Sequence, residues 1–286
     1  MSKEYLNSFN DYKNKVGISK TTKVSPEYEI GINRKADAST DMSIFTKLKP
    51  IFNVLITRDL SSQLFYNNLL KYKAKIILHV IVTGFGATPM EPYTPHPRFT
   101  FLRLNQLIRD GFPKEQIVLR IDPVIPNKMG LEAFELVLNI FQRLKIKRCR
   151  YKLFLCNDKI LLRPNWQYLN IHGFPNPYYN EIENKVYKSA SKYHRKLVND
   201  IIEKYLSIYD FESCDRDDIF NTEHQLGCVS FKDLNVLGIN EVDLLPNYKN
   251  KKNCLCPVNA VELIDIKTNK QCALKCLHCT KHTSVI

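Results

Sequence analysis

Three of the nine cysteines fall within eight residues near the end of the chain: Cys272, Cys276 and Cys279, spaced C-x3-C-x2-C. Thiolates this close can converge on one soft metal centre. Three of them would leave one iron of a 4Fe–4S cluster without a protein ligand. The same stretch offers other ligands: Cys254 and Cys256 precede the triplet, and His278 and His282 lie in or just after it. Four thiolates, or three thiolates and an imidazole, would equally suit a tetrahedral zinc ion. A C-x-C pair alone is weak, so Cys254 and Cys256 are equally readable as a second metal site, a redox pair or plain loop thiols.

Further chemistry-bearing residues collect where apolar runs stop. Ile76 to Val82 is the strongest strand signal in the chain, and it ends at Thr83-Gly84-Phe85-Gly86, followed by Glu91-Pro92. On its own, Gly84-Phe85-Gly86 is a weak motif, readable as a turn needing positive φ or as a close approach to a ligand. A second run, Ile117 to Ile121, breaks at Asp122-Pro123. Arg120 and Asp122 lie two apart and therefore project to one side, either as a buried salt bridge or as a guanidinium–carboxylate pair facing a ligand.

The elements that must position these groups alternate. Strands are expected at Tyr28–Ile32, Asn53–Thr57, Arg150–Leu155, Phe211–Asp215 and Val261–Ile266. Ser39-Thr40-Asp41 offers a cap for a helix over Met42–Leu48. Further helices are expected with Leu60, Leu64, Phe65, Leu69 and Leu70 on one side, over Pro97–Arg109 and Gly130–Leu144, and as a long polar helix over Glu181–Ile208. Repeated strand–helix alternation predicts a parallel α/β sheet or barrel, with polar residues just past the strand ends, where such folds keep their sites. The expected organisation is a polar N-terminal arm over 1–27 and one domain over 28–286. Within that domain, 157–208 is a lid or helical elaboration and 254–286 a cysteine-rich tail.

Composition narrows the class. The 286 residues are 44% hydrophobic, enough for one large core and too apolar for a disordered chain. No apolar run approaches bilayer length, and the opening MSKEYLNSFNDYKNK has no signal-peptide character, so a cytoplasmic protein with no membrane contact is expected. Nine cysteines in such a chain point to thiols or metal sites rather than a disulfide scaffold. The formal charge of +13 favours nucleic acid or another polyanion as partner, although a Lys-, Asn- and Ile-rich composition also follows from AT-rich coding. Trp166, Tyr168, Phe174, Tyr178 and Tyr179 follow Lys159 and Arg163. They read as a packed lid or as a stacking surface for bases.

Together, Thr83-Gly84-Phe85-Gly86 with Met90-Glu91-Pro92, then Leu119 to Pro126, then Cys272, Cys276 and Cys279 resemble a group of radical S-adenosylmethionine (SAM) proteins. That group is similar to spore photoproduct lyase and other DNA-repair radical SAM proteins. The similarity covers roughly 50–140 and 210–280. It implies a partial (β/α) barrel of the TIM type, circularly permuted so that the cluster-binding strand and loop come last. It also implies a 4Fe–4S cluster on Cys272, Cys276 and Cys279, and SAM cleaved reductively to a 5′-deoxyadenosyl radical. Thr83, Gly84 and Gly86 would approach SAM with backbone groups, while Glu91, Arg120 and Asp122 would reach its amino, carboxylate or ribose groups. An electron donor such as a flavodoxin or ferredoxin is implied as a partner, with nucleic acid as a candidate substrate. Cys214 and Cys228 would be candidate hydrogen-atom donors, against the commoner reading of buried thiols. Family triplets usually carry an aromatic before the third cysteine, where this chain has His278. The rival reading is a zinc-stabilised nucleic-acid-binding protein without catalysis.

Overall fold

A computed structural model of the protein describes residues 29–154, 192–213, 227–239, 259–264 and 274–279, together with 27, 179–180, 185–186, 190 and 257. Seven strands form one all-parallel sheet: β1 (Ile30–Ile32), β2 (Asn53–Thr57), β3 (Ile76–Ile81), β4 (Ile117–Val124), β5 (Arg148–Leu153), β8 (Asp210–Ser213) and β9 (Ala260–Glu262). Their order is β8-β5-β4-β3-β2-β1-β9. Six strands therefore lie in chain order, and the last one lies beside the first. The remaining pair, β6 (Tyr179–Asn180) and β7 (Lys185–Val186), is a separate antiparallel ladder.

The crossover helices are α1 (Gln63–Lys71), α2 (Pro97–Arg109), α3 (Lys128–Phe141) and α4 (Lys192–Lys204). Local chemistry starts three of them. Ser62 accepts a hydrogen bond from Phe65 N, Asn127 accepts one from Gly130 N, and Pro97 opens α2 behind His96. All four pack on one sheet face, where Phe65, Leu104, Phe134, Val137 and Ile202 meet Leu55, Leu78, Leu119 and Tyr151. Parallel strands joined in chain order by right-handed crossovers put every helix on the same side. Among the described residues the far face carries only the short helix α5 (Phe231–Leu237), and its apolar part gathers Ile32, Val54, Ile56, Ile77 and Val118 under Val229 and Leu234.

The expected strands and helices are present, with five corrections. The helix expected over Met42–Leu48 is only a short 3-10 helix over Met42–Thr46, capped by Asp41. β4 continues through Asp122 and Pro123 to Val124 instead of breaking there, because a shift of register against β5 between Ile121 and Val124 absorbs the proline's missing donor. α1 begins only at Gln63, which turns Phe65, Tyr66 and Leu69 inward and leaves Leu64 exposed. The helix expected over 181–208 is confined to Lys192–Lys204, since Lys185–Val186 is a strand. That helix is also part of the core: Val198, Ile201 and Ile202 form an i, i+3, i+4 stripe against the sheet. The last strand is Ala260–Glu262, shorter than expected. Residues 1–26, the whole 157–178 loop with Trp166, Tyr168, Phe174 and Tyr178, and Cys214, Cys254, Cys256 and Cys272 lie outside the described residues. No helix among the described residues is long and apolar enough to cross a membrane.

Candidate functional site at the carboxyl ends of the strands

In an all-parallel sheet every strand delivers its carboxyl end to the same edge, and here the edge is built from charged groups. Asp37, just past β1, accepts from Thr57 Oγ1 (2.7 Å) and from the Arg58 amide (2.6 Å), tying the ends of β1 and β2 together. Burial outweighs those hydrogen bonds and pushes the Asp37 carboxyl above its ordinary range. Arg58 then spans the next two strands. Its Nη1 lies 2.8 Å from Glu91 Oε1, in the loop after β3, and its Nη2 donates to the Asp122 carbonyl of β4 (2.7 Å). Burial works against the charge on Arg58, but Glu91, Cys276, Asp122 and Asp37 hold it in place.

The C-terminal segment closes onto this edge. Leu277 N donates to Met90 O (2.9 Å), and the buried His278 places Nε2 2.7 Å from Glu91 Oε1. Thr94 Oγ1 donates to Glu91 Oε2 (3.1 Å). Burial alone would raise the Glu91 carboxyl, but the Arg58 guanidinium and the hydrogen bond from His278 outweigh it and bring it down to about 2. Cys276 is buried beside this pair, and ligand atoms of Glu91, Cys276 and His278 all lie within 4.8 Å of one another. Cys279 follows across a turn closed by Cys279 N→Cys276 O (3.0 Å) and is half-buried.

The expected site residues are thus distributed as follows. Glu91 and Cys276 meet, and Arg120 and Asp122 form a salt bridge of 2.6 Å on the neighbouring strand. Arg120 Nη1 also donates to Cys228 Sγ (3.2 Å), so that thiol is buried against a guanidinium. Thr83 is buried, and its Oγ1 accepts from Phe85 N (3.2 Å). The two glycines are required by the protein's own packing. A Cβ on Gly84 (φ 90°) would stand 2.7 Å from Ala133 Cβ, and one on Gly86 would stand 2.0 Å from Pro95 O.

Sequence reading passed over Arg58 and the pairing of His278 with Glu91. It also passed over a second ionic group on the far face: His79, Arg148, Arg150, Glu212 and Asp233. The available signal was Arg148-Cys149-Arg150-Tyr151, charged and apolar by turns within one strand. No protein-family model matches the chain, and neither a curated protein nor a solved structure does.

The donor set at the edge, one thiol with a carboxylate and an imidazole, is of a kind that can hold a metal ion. Cys276 is buried, Cys279 stands three residues on across one turn, and Arg58 supplies a fixed positive charge beside them.

Proposed function

We propose that this chain is a radical SAM enzyme whose sheet is part of a permuted (β/α) barrel, with Cys272, Cys276 and Cys279 as ligands of a 4Fe–4S cluster at the strand ends. The observation that carries the reading is the place of β9. The last strand lies parallel beside β1, as an opening strand would, and the chain after it returns to the strand ends with Cys276 against the loop of Glu91. Four crossover helices on one face are what a barrel segment requires.

In this reading the chain's own residues do three things. Arg58 and Glu91 form a buried clasp that receives His278 and so fixes the turn bearing Cys276 and Cys279. Thr83 and the glycine turn close the end of β3 around that clasp. Arg120 and Asp122 present a paired guanidinium and carboxylate at the adjacent strand end, where the amino-acid part of SAM would be recognised. The bound cofactors would supply the one-electron cleavage of the SAM sulfonium and the resulting hydrogen abstraction. The substrate class is open to nucleic acid on the strength of the +13 charge. An electron donor of the flavodoxin or ferredoxin type is required by the chemistry.

Anaerobic reconstitution tests the reading. It should yield about four irons and four sulfides per chain and SAM-dependent 5′-deoxyadenosine, both lost in Cys276→Ala. Retention of both in that variant would overturn it. The second reading, a zinc-stabilised nucleic-acid-binding protein, is favoured by the convergence of Glu91, Cys276 and His278 within 4.8 Å. It requires about one zinc per chain and no sulfide, with zinc binding lost in His278→Ala.

A further inference from the structure

The far face of the sheet is divided. Its β1–β2 half is apolar, but across β4, β5 and β8 the ladder places Arg120 opposite Arg150 and Arg150 opposite Glu212, with Arg148 one row below and His79 on β3. Arg150, Glu212 and His79 are fully buried, and Arg148 nearly so.

The carboxylates within this group are already engaged by its own cations and amides. Glu212 Oε1 accepts from Arg148 Nε (3.1 Å) and lies 3.5 Å from Lys232 Nζ, while Glu212 Oε2 accepts from both Nε (3.2 Å) and Nη2 of Arg150. Asp233 Oδ2 accepts from Ser230 N (2.7 Å), and its Oδ1 lies 2.8 Å from Arg148 Nη1 as an ion pair. Asp122 Oδ2 is taken by Arg120. The donors are not used up. Arg150 Nη1 and Arg148 Nη2 are buried without a hydrogen-bond partner among the described residues, and so are the ring nitrogens of His79, of which one is a donor and the other an acceptor in the neutral ring. Desolvated guanidinium N–H groups left unpaired are costly, and a ligand oxygen of negative charge is the group that relieves them best. The group reaches solvent at its rim, where the side chains of Asp122 and Lys232 are 23% and 30% exposed.

We propose that the β4–β5–β8 half of the far face is a binding site for a small oxyanion, a carboxylate or a phosphate group. Arg148 Nη2 and Arg150 Nη1 donate to its oxygens, His79 supplies a further neutral donor, and Lys232 stands at the entrance. Glu212 holds the two guanidinium planes in position from behind. The proposal involves no metal, so its test uses the metal-free protein; Arg120 and Asp122 are the residues this group shares with the strand-end site.

Thermal unfolding is followed while inorganic phosphate, or acetate in a second arm, replaces chloride at constant ionic strength. A saturable rise in Tm with one of the two is expected, and the arm that gives it identifies the oxyanion. Arg148→Lys keeps the charge but lacks Nη2. It should bind about tenfold or more weakly, as for the loss of one charge-assisted hydrogen bond. His79→Phe, similar in volume but without a ring N–H, gives an independent check should Arg148→Lys unfold, and should also weaken binding. Neither anion raising Tm above the chloride control, or equal saturable shifts in wild type and both variants, would overturn the proposal.

Discussion

Two buried ionic groups lie within one strand of each other, and they are built on opposite plans. At the strand ends, Glu91 spends both oxygens on Arg58, His278 and Thr94, and Arg58 spends its remaining reach on the Asp122 carbonyl. On the far face, Glu212 gathers two arginines at once, and N–H groups of both are left over. The first group is closed on itself and joins segments distant in the chain. The second has more donors than acceptors and is held by neighbouring strands of the sheet. Buried charge can therefore serve as a fastener where it balances, and as a receptor where it does not.

The contrast is sharpest at the carboxylates. Glu212→Ala leaves two buried guanidinium groups facing each other, so a loss of about 3–5 kcal/mol is expected in chemical denaturation. A loss below about 1 kcal/mol would mean that the arginines are not held by this residue. Glu91→Gln keeps a hydrogen-bonding side chain but removes the charge facing Arg58, for a smaller expected loss of about 2–3 kcal/mol. Its folded pKa is lowered, so the carboxylate's contribution is full above the unfolded value of 4.5 and is lost as pH falls toward about 2. The gap between wild type and Glu91→Gln should accordingly shrink through that window. A constant gap would argue against the ion pair.

The buried imidazole of the far-face group acts in another pH range. Burial, then the nearby Arg150 and Arg120, hold the His79 pKa well below 6.5, so the folded protein keeps it neutral while the unfolded chain takes up a proton. Stability should fall by up to about 2 kcal/mol from pH 6.5 to 5, and His79→Gln should flatten that slope. A slope unchanged in His79→Gln would place its origin elsewhere. Smallest of all, Lys232→Ala at the partly exposed rim should cost about 0.5 kcal/mol or less, measured by the same denaturation, since water screens its 3.5 Å approach to Glu212. A cost near that of Glu212→Ala would make the rim part of the buried network.

Much of the fold was legible because parallel strands buried on both faces are continuous apolar runs, as in Ile76–Ile81, and because caps such as Ser62 and Asn127 mark helix starts. The same habit hid the far-face group. His79 sits inside the strongest apolar run, and Arg148 and Arg150 alternate with Cys149 and Tyr151, the pattern of a half-solvated strand. Nothing local distinguishes a solvated arginine from one balanced by Glu212 across the neighbouring strand. At the strand ends the cysteine spacing drew notice to the tail, and the strand-end position drew notice to Glu91. Their meeting was not local information: Glu91 and His278 are 187 residues apart and share no motif. The extra stretch of β4 past Asp122 was missed because proline is disfavoured in sheets only where the ladder stays in register.

The pairing of β9 with β1 has a consequence for how the protein is made. Glu262 accepts hydrogen bonds from the backbone after β1, across 228 residues of chain. On a ribosome adding about 5–20 residues per second, β1 waits with one open edge for about ten seconds or more before its partner exists. During synthesis this edge is the natural place for a wrong strand to add or a chaperone to hold. The segment bearing Cys276 and His278 follows β9, so the strand-end group is assembled among the last steps of folding.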